Sequence, residues 1–265
     1  MSKMQVRVRS VLREIALDVL ALGAKPSKGI HLLNGHILGK EENLDASFFD
    51  DQLKTISRKS TIVPFAEAVE LLKLRKTVNH SIVAFSFDDG FAECYNHIAP
   101  VLEKYNGYGC FFVCPNFIDG DEKYVSTFLK DNVHQPLYKA PMNWTQVREL
   151  HNKGHVIGAH TMDHIRVSEL IGNDELHYQI GACKGIIEKY IKANCNNFAF
   201  TYGHLGRDFS LRDIEIAENY YSNIFSAFEW NKYFCCDDRV MNRRQVEPYW
   251  KASHANYFIS KKIKY

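Results

Sequence analysis

From Pro26 onward the chain alternates short apolar runs with segments in which apolar positions recur every three or four residues. That alternation predicts strands joined by helices, as in a parallel sheet or barrel with its helices outside. Strands are expected at residues 29–38, 61–63, 81–87, 109–113, 155–159, 197–201 and 222–228. Residues 81–87 are apolar on both faces, as a central parallel strand requires. Between the strands, Asp45 can cap a helix carrying Phe48, Phe49, Leu53 and Ile56, and Pro64 opens another running through Leu74. A third carries Ile98, Val101, Leu102 and Tyr105. Asn143 with Gln146 forms a cap ahead of Val147 and Leu150, and Gly154 ends that helix. A longer helix is expected at residues 174–192, and Ser210 caps one that reaches about Asn219. Residues 115–141 scatter Phe117, Tyr124, Phe128, Leu129 and Tyr138 among polar positions, which predicts a long excursion with a short helix.

The first residues follow a different pattern. Val8, Leu12, Ile15, Val19 and Leu22 alternate spacings of four and three, so residues 1–28 are expected to hold an amphipathic helix docked on the body. Lys3, Arg7, Arg9 and Arg13 precede an apolar patch, but Asp18 divides it and leaves no adequate signal-peptide core. A membrane-surface helix is the alternative, opposed by the way Glu14 and Asp18 dilute the basic face. Residues 29–265 are long enough for one barrel domain with a full core.

Composition narrows the class. Apolar residues at 46% and charged residues at 24% exclude a disordered, collagenous or membrane-spanning chain. With 33 basic and 31 acidic residues and no block of like charge, nothing calls for nucleic acid. Seven cysteines, two of them adjacent at 235 and 236, argue against a disulfide framework and for reduced thiols in a cytosol. Cys110 and Cys114 look like a metal pair, but on one strand their backbones stand roughly 13 Å apart, too far to share an ion.

Three polar clusters fall directly after expected strands: Asp88-Asp89-Gly90, His160 to His164, and Tyr202-Gly203-His204. In a parallel barrel the carboxyl ends of the strands share one side, so these clusters would converge. Two adjacent carboxylates at the mouth of an apolar strand call for a compensating cation or proton, unless one of them simply caps the next helix. His160 and His164, with three residues between them, would share one face of a helical turn within reach of one ion, or else lie at the surface. Two histidines and an aspartate form a metal set that leaves positions open for water and substrate.

These segments resemble the motifs of the NodB-homology polysaccharide deacetylases, also grouped as carbohydrate esterase family four. Phe85-Ser86-Phe87-Asp88-Asp89-Gly90 is similar to their TFDDG motif, residues 154–164 to GHxIGxHTxxH, and residues 198–203 to FAYPYG. Residues 29–36, 49–56 and 143–150 resemble the opening strand, the following helix and the helix before the histidine motif. The resemblance implies an α/β fold, a distorted (β/α) barrel of about seven parallel strands. It implies that Asp89, His160 and His164 bind one divalent metal ion, usually zinc, that Asp88 is the general base, and that Tyr202 offers its backbone N–H to an oxyanion. No organic cofactor is implied.

The departures are specific. Thr201 stands where proline is usual, and the arginine that many relatives carry just before that motif would fall near Ala199 or Phe200. Arg243 or Arg244 could orient the base from a later strand, or be solvated surface charges. No late LxIH motif supplies an acid, which leaves His204 and His254 as substitutes. The expected activity is removal of an N-acyl group from an amino sugar in a nucleotide-linked or lipid-linked precursor, during surface-polysaccharide assembly such as O-antigen synthesis. The expected place is the cytoplasm, or the inner face of the membrane without a transmembrane segment. A catalytically silent sugar-binding protein and a deformylase or amidase of another linear amide are the alternatives.

Overall fold

The computed structural model describes residues 3–39 and 45–265, with side chains from residue 12 onward at the amino end. Ten strands form one sheet: β1 (Gly29–Gly35), β2 (Thr61–Ile62), β3 (Ser81–Phe87), β4 (Cys110–Val113), β5 (Val156–Ala159), β6 (Asn197–Ala199), β7 (Asn223–Ser226), β8 (Phe234–Cys235), β9 (Val240–Asn242) and β10 (Arg244–Gln245). The order is β10-β1-β3-β4-β5-β6-β7-β9-β8, with β2 paired to β3 as well. All pairings are parallel except β8 with β9.

The two ends of this sheet belong to one short piece of chain. β9 pairs with β7 through Met241 and Asn242, Arg243 N–H donates to Ser226 O at 2.9 Å, and β10 then pairs Arg244 and Gln245 with Leu33 and Asn34 of β1. Residues 240–246 therefore close the ring, which is the distorted barrel of about seven parallel strands that the motifs implied. Sequence reasoning did not find β8, β9, β10 or the helix Ala252–Ile259, because two- and three-residue strands carry no readable period.

Side-chain alternation sorts the barrel interior into layers. At the amino ends of the strands the inward positions are apolar: Ile30 and Leu32, Ile82 and Ala84, Cys110 and Phe112, Phe225 and Met241 pack with Phe65 and its helix, Phe65–Lys73. Phe65 lies 6.2 Å from Phe112 and 5.4 Å from Phe225, ring centre to ring centre. At the carboxyl ends the same alternation delivers Asn34, Ser86, Asp88 and Arg243, all buried. The other strand faces, including Val83, Phe85, Phe87, Phe111 and Ile157, pack beneath the surrounding helices.

Most helices form where their caps predict, but Asp45 is not the cap of the helix Ser47–Ser57: Ala46 holds that position, and Asp45 accepts from Ser47 N–H and its hydroxyl. Gln146 N–H donates to Asn143 Oδ1 at 2.8 Å and Asn143 N–H to Gln146 Oε1 at 3.0 Å, ahead of the helix Trp144–Asn152. The segment expected as one helix at 174–192 is instead Asn173–Leu176, a π-helical turn at His177–Ala182, and Cys183–Ile191.

The helix Lys3–Ala21 meets the helix Ala252–Ile259. Its contact face is not the apolar stripe that the spacing singled out. Leu12, Ile15, Val19 and Leu22 are exposed, and Asp18 faces the body instead. Val8, Lys3, Arg7 and Arg9 lie outside the residues whose side chains are described.

Candidate active site

Asp88 and Asp89 are adjacent in sequence yet serve two different clusters, because the backbone reverses between them. Asp88 continues the strand, with its N–H donating to Gly35 O at 3.0 Å, whereas Asp89 has φ +76° and Gly90 φ +100°. A left-handed aspartate is strained by about 1–3 kcal/mol, and that strain turns the second carboxylate into the cavity instead of away from it. A Cβ on Gly90 would stand 2.9 Å from Ile118 Cδ1, a side-chain end that can move aside, so it is the positive φ that reserves this position for glycine.

Asp89 Oδ1 lies 3.6 Å from His160 Nε2 and 3.2 Å from His164 Nε2, and ligand atoms of all three residues fall within 4.8 Å of one another. Asp89 Oδ1 is buried with no hydrogen-bond partner among the described residues. His160 Nδ1 contacts Ala199 O at 2.8 Å, which makes Nδ1–H the donor and leaves the Nε2 lone pair facing Asp89. Burial holds the His160 pKa down at about 4, so this ring is neutral near pH 7. Two buried imidazoles and a carboxylate oxygen without a hydrogen-bond partner among the described residues, converging within 4.8 Å, fit a divalent cation.

The histidine pair is not on a helical turn, as its spacing suggested. His160 to His164 form a loop in which Thr161 (φ +61°) and His164 (φ +57°) are left-handed. Asp163 fastens that loop by accepting from Asn116 Nδ2 and Gln179 Nε2, each at 2.8 Å, and from the Tyr124 hydroxyl. Thr201, in the place of the usual proline, donates its hydroxyl to Ile165 O and ties the third motif to the same loop.

Asp88 is gripped from the closing segment. Arg243 Nη1 donates to Asp88 Oδ1 at 2.6 Å and Nη2 to Oδ2 at 2.9 Å, while Nη1 also reaches Ser86 Oγ at 2.9 Å. The guanidinium is 1% exposed and lies 4.7 Å from the centre of the Phe112 ring. Burial pushes the Asp88 pKa up, and Arg243 with the nearby histidines outweighs it, leaving the carboxyl below its ordinary value. Of the two arginines considered from the later strand, Arg243 is thus the one that meets Asp88. Arg244 is buried too and holds Trp230 O, Phe258 O and Lys261 O.

His36, just after β1, completes the ring of polar groups, and chemical reasoning on the sequence had not singled it out. Its Nε2 stands 4.0 Å from Asp88 Oδ2, and its Nδ1 meets Glu247 Oε1 at 2.7 Å. Glu247 Oε2 also accepts the His36 backbone N–H at 2.9 Å. Burial lowers the imidazole pKa, but Glu247 and the two aspartates override it and raise it to about 10.

Tyr202 has φ +58°, its ring packs 4.8 Å from His164, and its hydroxyl donates to Asn132 O. His204 does not join the site: it is exposed, and its backbone is held by Asp208. His254 pairs with Asp18 at 2.8 Å, outside the residues that line the cavity. Trp144 stacks on Tyr190 at 4.1 Å as a core residue, whereas Tyr138 is 63% exposed.

The cavity, about 170 Å³, is lined by Asn34, His36, Asp88, Asp89, His160, His164, Tyr202 and Arg243 among others. A second cavity of about 360 Å³ shares His36, Asp89 and Val133 with it and adds residues 134–136, and a third, about 390 Å³, continues along the excursion to Tyr138.

The buried carboxylate–histidine cluster lies at the carboxyl ends of the strands, where parallel barrels place their active sites. Residues 75–218, more than half of the chain, match the polysaccharide deacetylase family model, and the chain belongs to that family. Among solved structures it is similar to IcaB from Ammonifex degensii (TM-score 0.69, 20% identity, 89% of this chain and 98% of that one). It is likewise similar to the Streptococcus pyogenes deacetylase PplD in complex with acetate (0.65, 18%, 89% and 99%) and to a de-N-acetylase from Aggregatibacter actinomycetemcomitans (0.62, 19%, 87% and 98%). No curated protein sequence matches it.

Proposed function

We propose that this protein is a metal-dependent N-deacetylase of an amino sugar in a surface-polysaccharide precursor. The observation that carries this reading is the facing pair beside the Asp89–His160–His164 cluster: a carboxylate fixed by Arg243 and an imidazole fixed by Glu247, 4.0 Å apart.

Asp89, His160 and His164 would hold the ion, with zinc the expected metal. When bound, the ion polarises the amide carbonyl and acidifies water. Asp88, ionised at neutral pH, takes the proton of the attacking water, and Arg243 keeps it ionised and in place. The Tyr202 backbone N–H donates to the developing oxyanion. His36, protonated because Glu247 stands behind it, gives its proton to the departing amine nitrogen as the C–N bond breaks. Water is consumed, and a free amine and a carboxylate are released. A silent sugar-binding site gains nothing from a base and an acid held face to face.

The substrate class follows from the groove and the thiols. Connected cavities running to exposed Tyr138 suit a sugar carried on a larger group. All seven cysteines are free and six are buried, in keeping with a reducing cytoplasm, where nucleotide-linked or lipid-linked precursors of an O-antigen-like glycan are assembled. Among the described residues no helix is long and apolar enough to cross a membrane. The test is acetate release by the zinc-loaded protein from N-acetylated nucleotide sugars and lipid-linked sugars against polymeric chitin. Release from precursors is expected, and release from chitin alone would contradict the substrate class.

A further inference from the structure

From Leu12 onward, where its side chains are described, the helix Lys3–Ala21 turns a stripe of apolar side chains away from the protein. Leu12, Ile15, Val19 and Leu22 are 59%, 55%, 61% and 78% exposed, and Leu20 is 53% exposed. Asp18, which interrupts this stretch in the linear sequence, does not interrupt it in space. It faces the body, where Lys251 Nζ reaches its two oxygens at 3.0 and 2.8 Å and His254 Nε2 lies 2.8 Å from one of them. The outward stripe is therefore continuous, and the acid that broke it is paired. The first thirteen residues add Lys3, Arg7, Arg9 and Arg13 with no Asp or Glu.

We propose that this helix docks on an anionic lipid surface. An amphipathic helix with an apolar face and basic flanks is the chemistry of interfacial binding: the apolar side chains enter the boundary of the acyl region while the basic groups meet lipid phosphates. The competing occupant is a second copy of the chain, since spacings of four and three also suit a two-helix seam. Two considerations oppose it. The stripe spans about two heptads where three or four are needed, and the first thirteen residues carry four basic and no acidic groups, so two such helices side by side repel. Anionic lipid complements both the apolar and the basic features.

The position of the helix gives docking a consequence. Beside its contact with the body lies a cleft of about 390 Å³, lined by Arg13, Leu17, Phe48, Tyr249 and Gln245 among others. Gln245 also lines the catalytic cavity and Tyr249 the cavity adjoining it. A docked helix holds the mouth of the site near the lipid, where a lipid-linked sugar would be presented. That consequence rests on the proposed deacetylase reading; the docking does not.

The test is flotation of the full chain with vesicles of phosphatidylcholine alone or mixed with phosphatidylglycerol, beside the Ile15→Ser/Val19→Ser variant. Both positions are exposed, so the variant should melt at the parent's temperature. The parent should float with the anionic vesicles, less so at high salt, and the variant's bound fraction should fall roughly tenfold or more. A parent that stays unbound, or a variant that floats equally well, overturns the proposal. So does a lipid-free dimer in analytical ultracentrifugation that the variant abolishes, which would assign the stripe to a second copy.

Discussion

The stretch 75–218 and the two segments that flank it build the same cavity in opposite ways. The first supplies Asp88, Asp89, His160, His164 and Tyr202 from strand ends in regular succession, each marked by a local pattern. The flanks supply His36, Arg243 and Glu247, and these acquire meaning only when residues 240–246 close the ring between β7 and β1. A ligand cluster can be written in local sequence. The groups that orient a base and an acid come from wherever the barrel happens to close.

The largest effect expected inside the motif region is that of His160→Ala/His164→Ala. Two of three ligand groups disappear, so bound metal should fall to background and turnover by about a thousandfold or more, read by elemental analysis and acetate release. Full metal content in that variant would break the assignment of the cluster.

In the flanks, Arg243→Met leaves the buried Asp88 carboxylate without its cation. Loss of one partner of a buried pair costs about 3–5 kcal/mol, so chemical denaturation should show a deficit of that size. A deficit below about 1 kcal/mol would mean that the closing segment is not held by this pair.

Glu247→Gln tests the other flank through pH. Glu247 raises the His36 pKa to about 10 against the effect of burial, so His36 stays protonated from acid pH up to that value in the native protein. Without the carboxylate, only Asp88 and Asp89 oppose burial, and the pKa falls toward the ordinary 6.5. The alkaline limb of the turnover profile should move down accordingly, with activity kept at low pH and lost earlier as pH rises. An unmoved limb would dissociate His36 from the proton that matters.

His204→Ala should have the smallest effect, less than about twofold on turnover, because the ring is exposed and does not line the cavity.

The same contrast explains what was legible. Residues 81–87 read as a strand because all seven are buried on both faces, and the Asn143–Gln146 cap read as a helix start because it is a local exchange of hydrogen bonds. The His160–His164 spacing read as a helical turn because the sequence does not display the left-handed Thr161 and His164. Arg243 read equally well as a surface charge, since its partner Asp88 lies 155 positions away. His36 stood within a segment that already resembled the opening strand, yet nothing local joined it to Glu247, 211 positions on. His204, by contrast, looked useful because it adjoins a motif, and its exposure is a tertiary fact.

The central claim is that residues from the flanks complete the catalytic set, and His36→Asn tests it most directly. Turnover of a soluble N-acetylated sugar should be followed across pH alongside metal content and KM. The account predicts full metal, a KM near that of the parent, turnover lower by roughly a hundredfold, and no alkaline limb, because the proton donor to the leaving amine is gone. Parental turnover with an unchanged pH profile would contradict it.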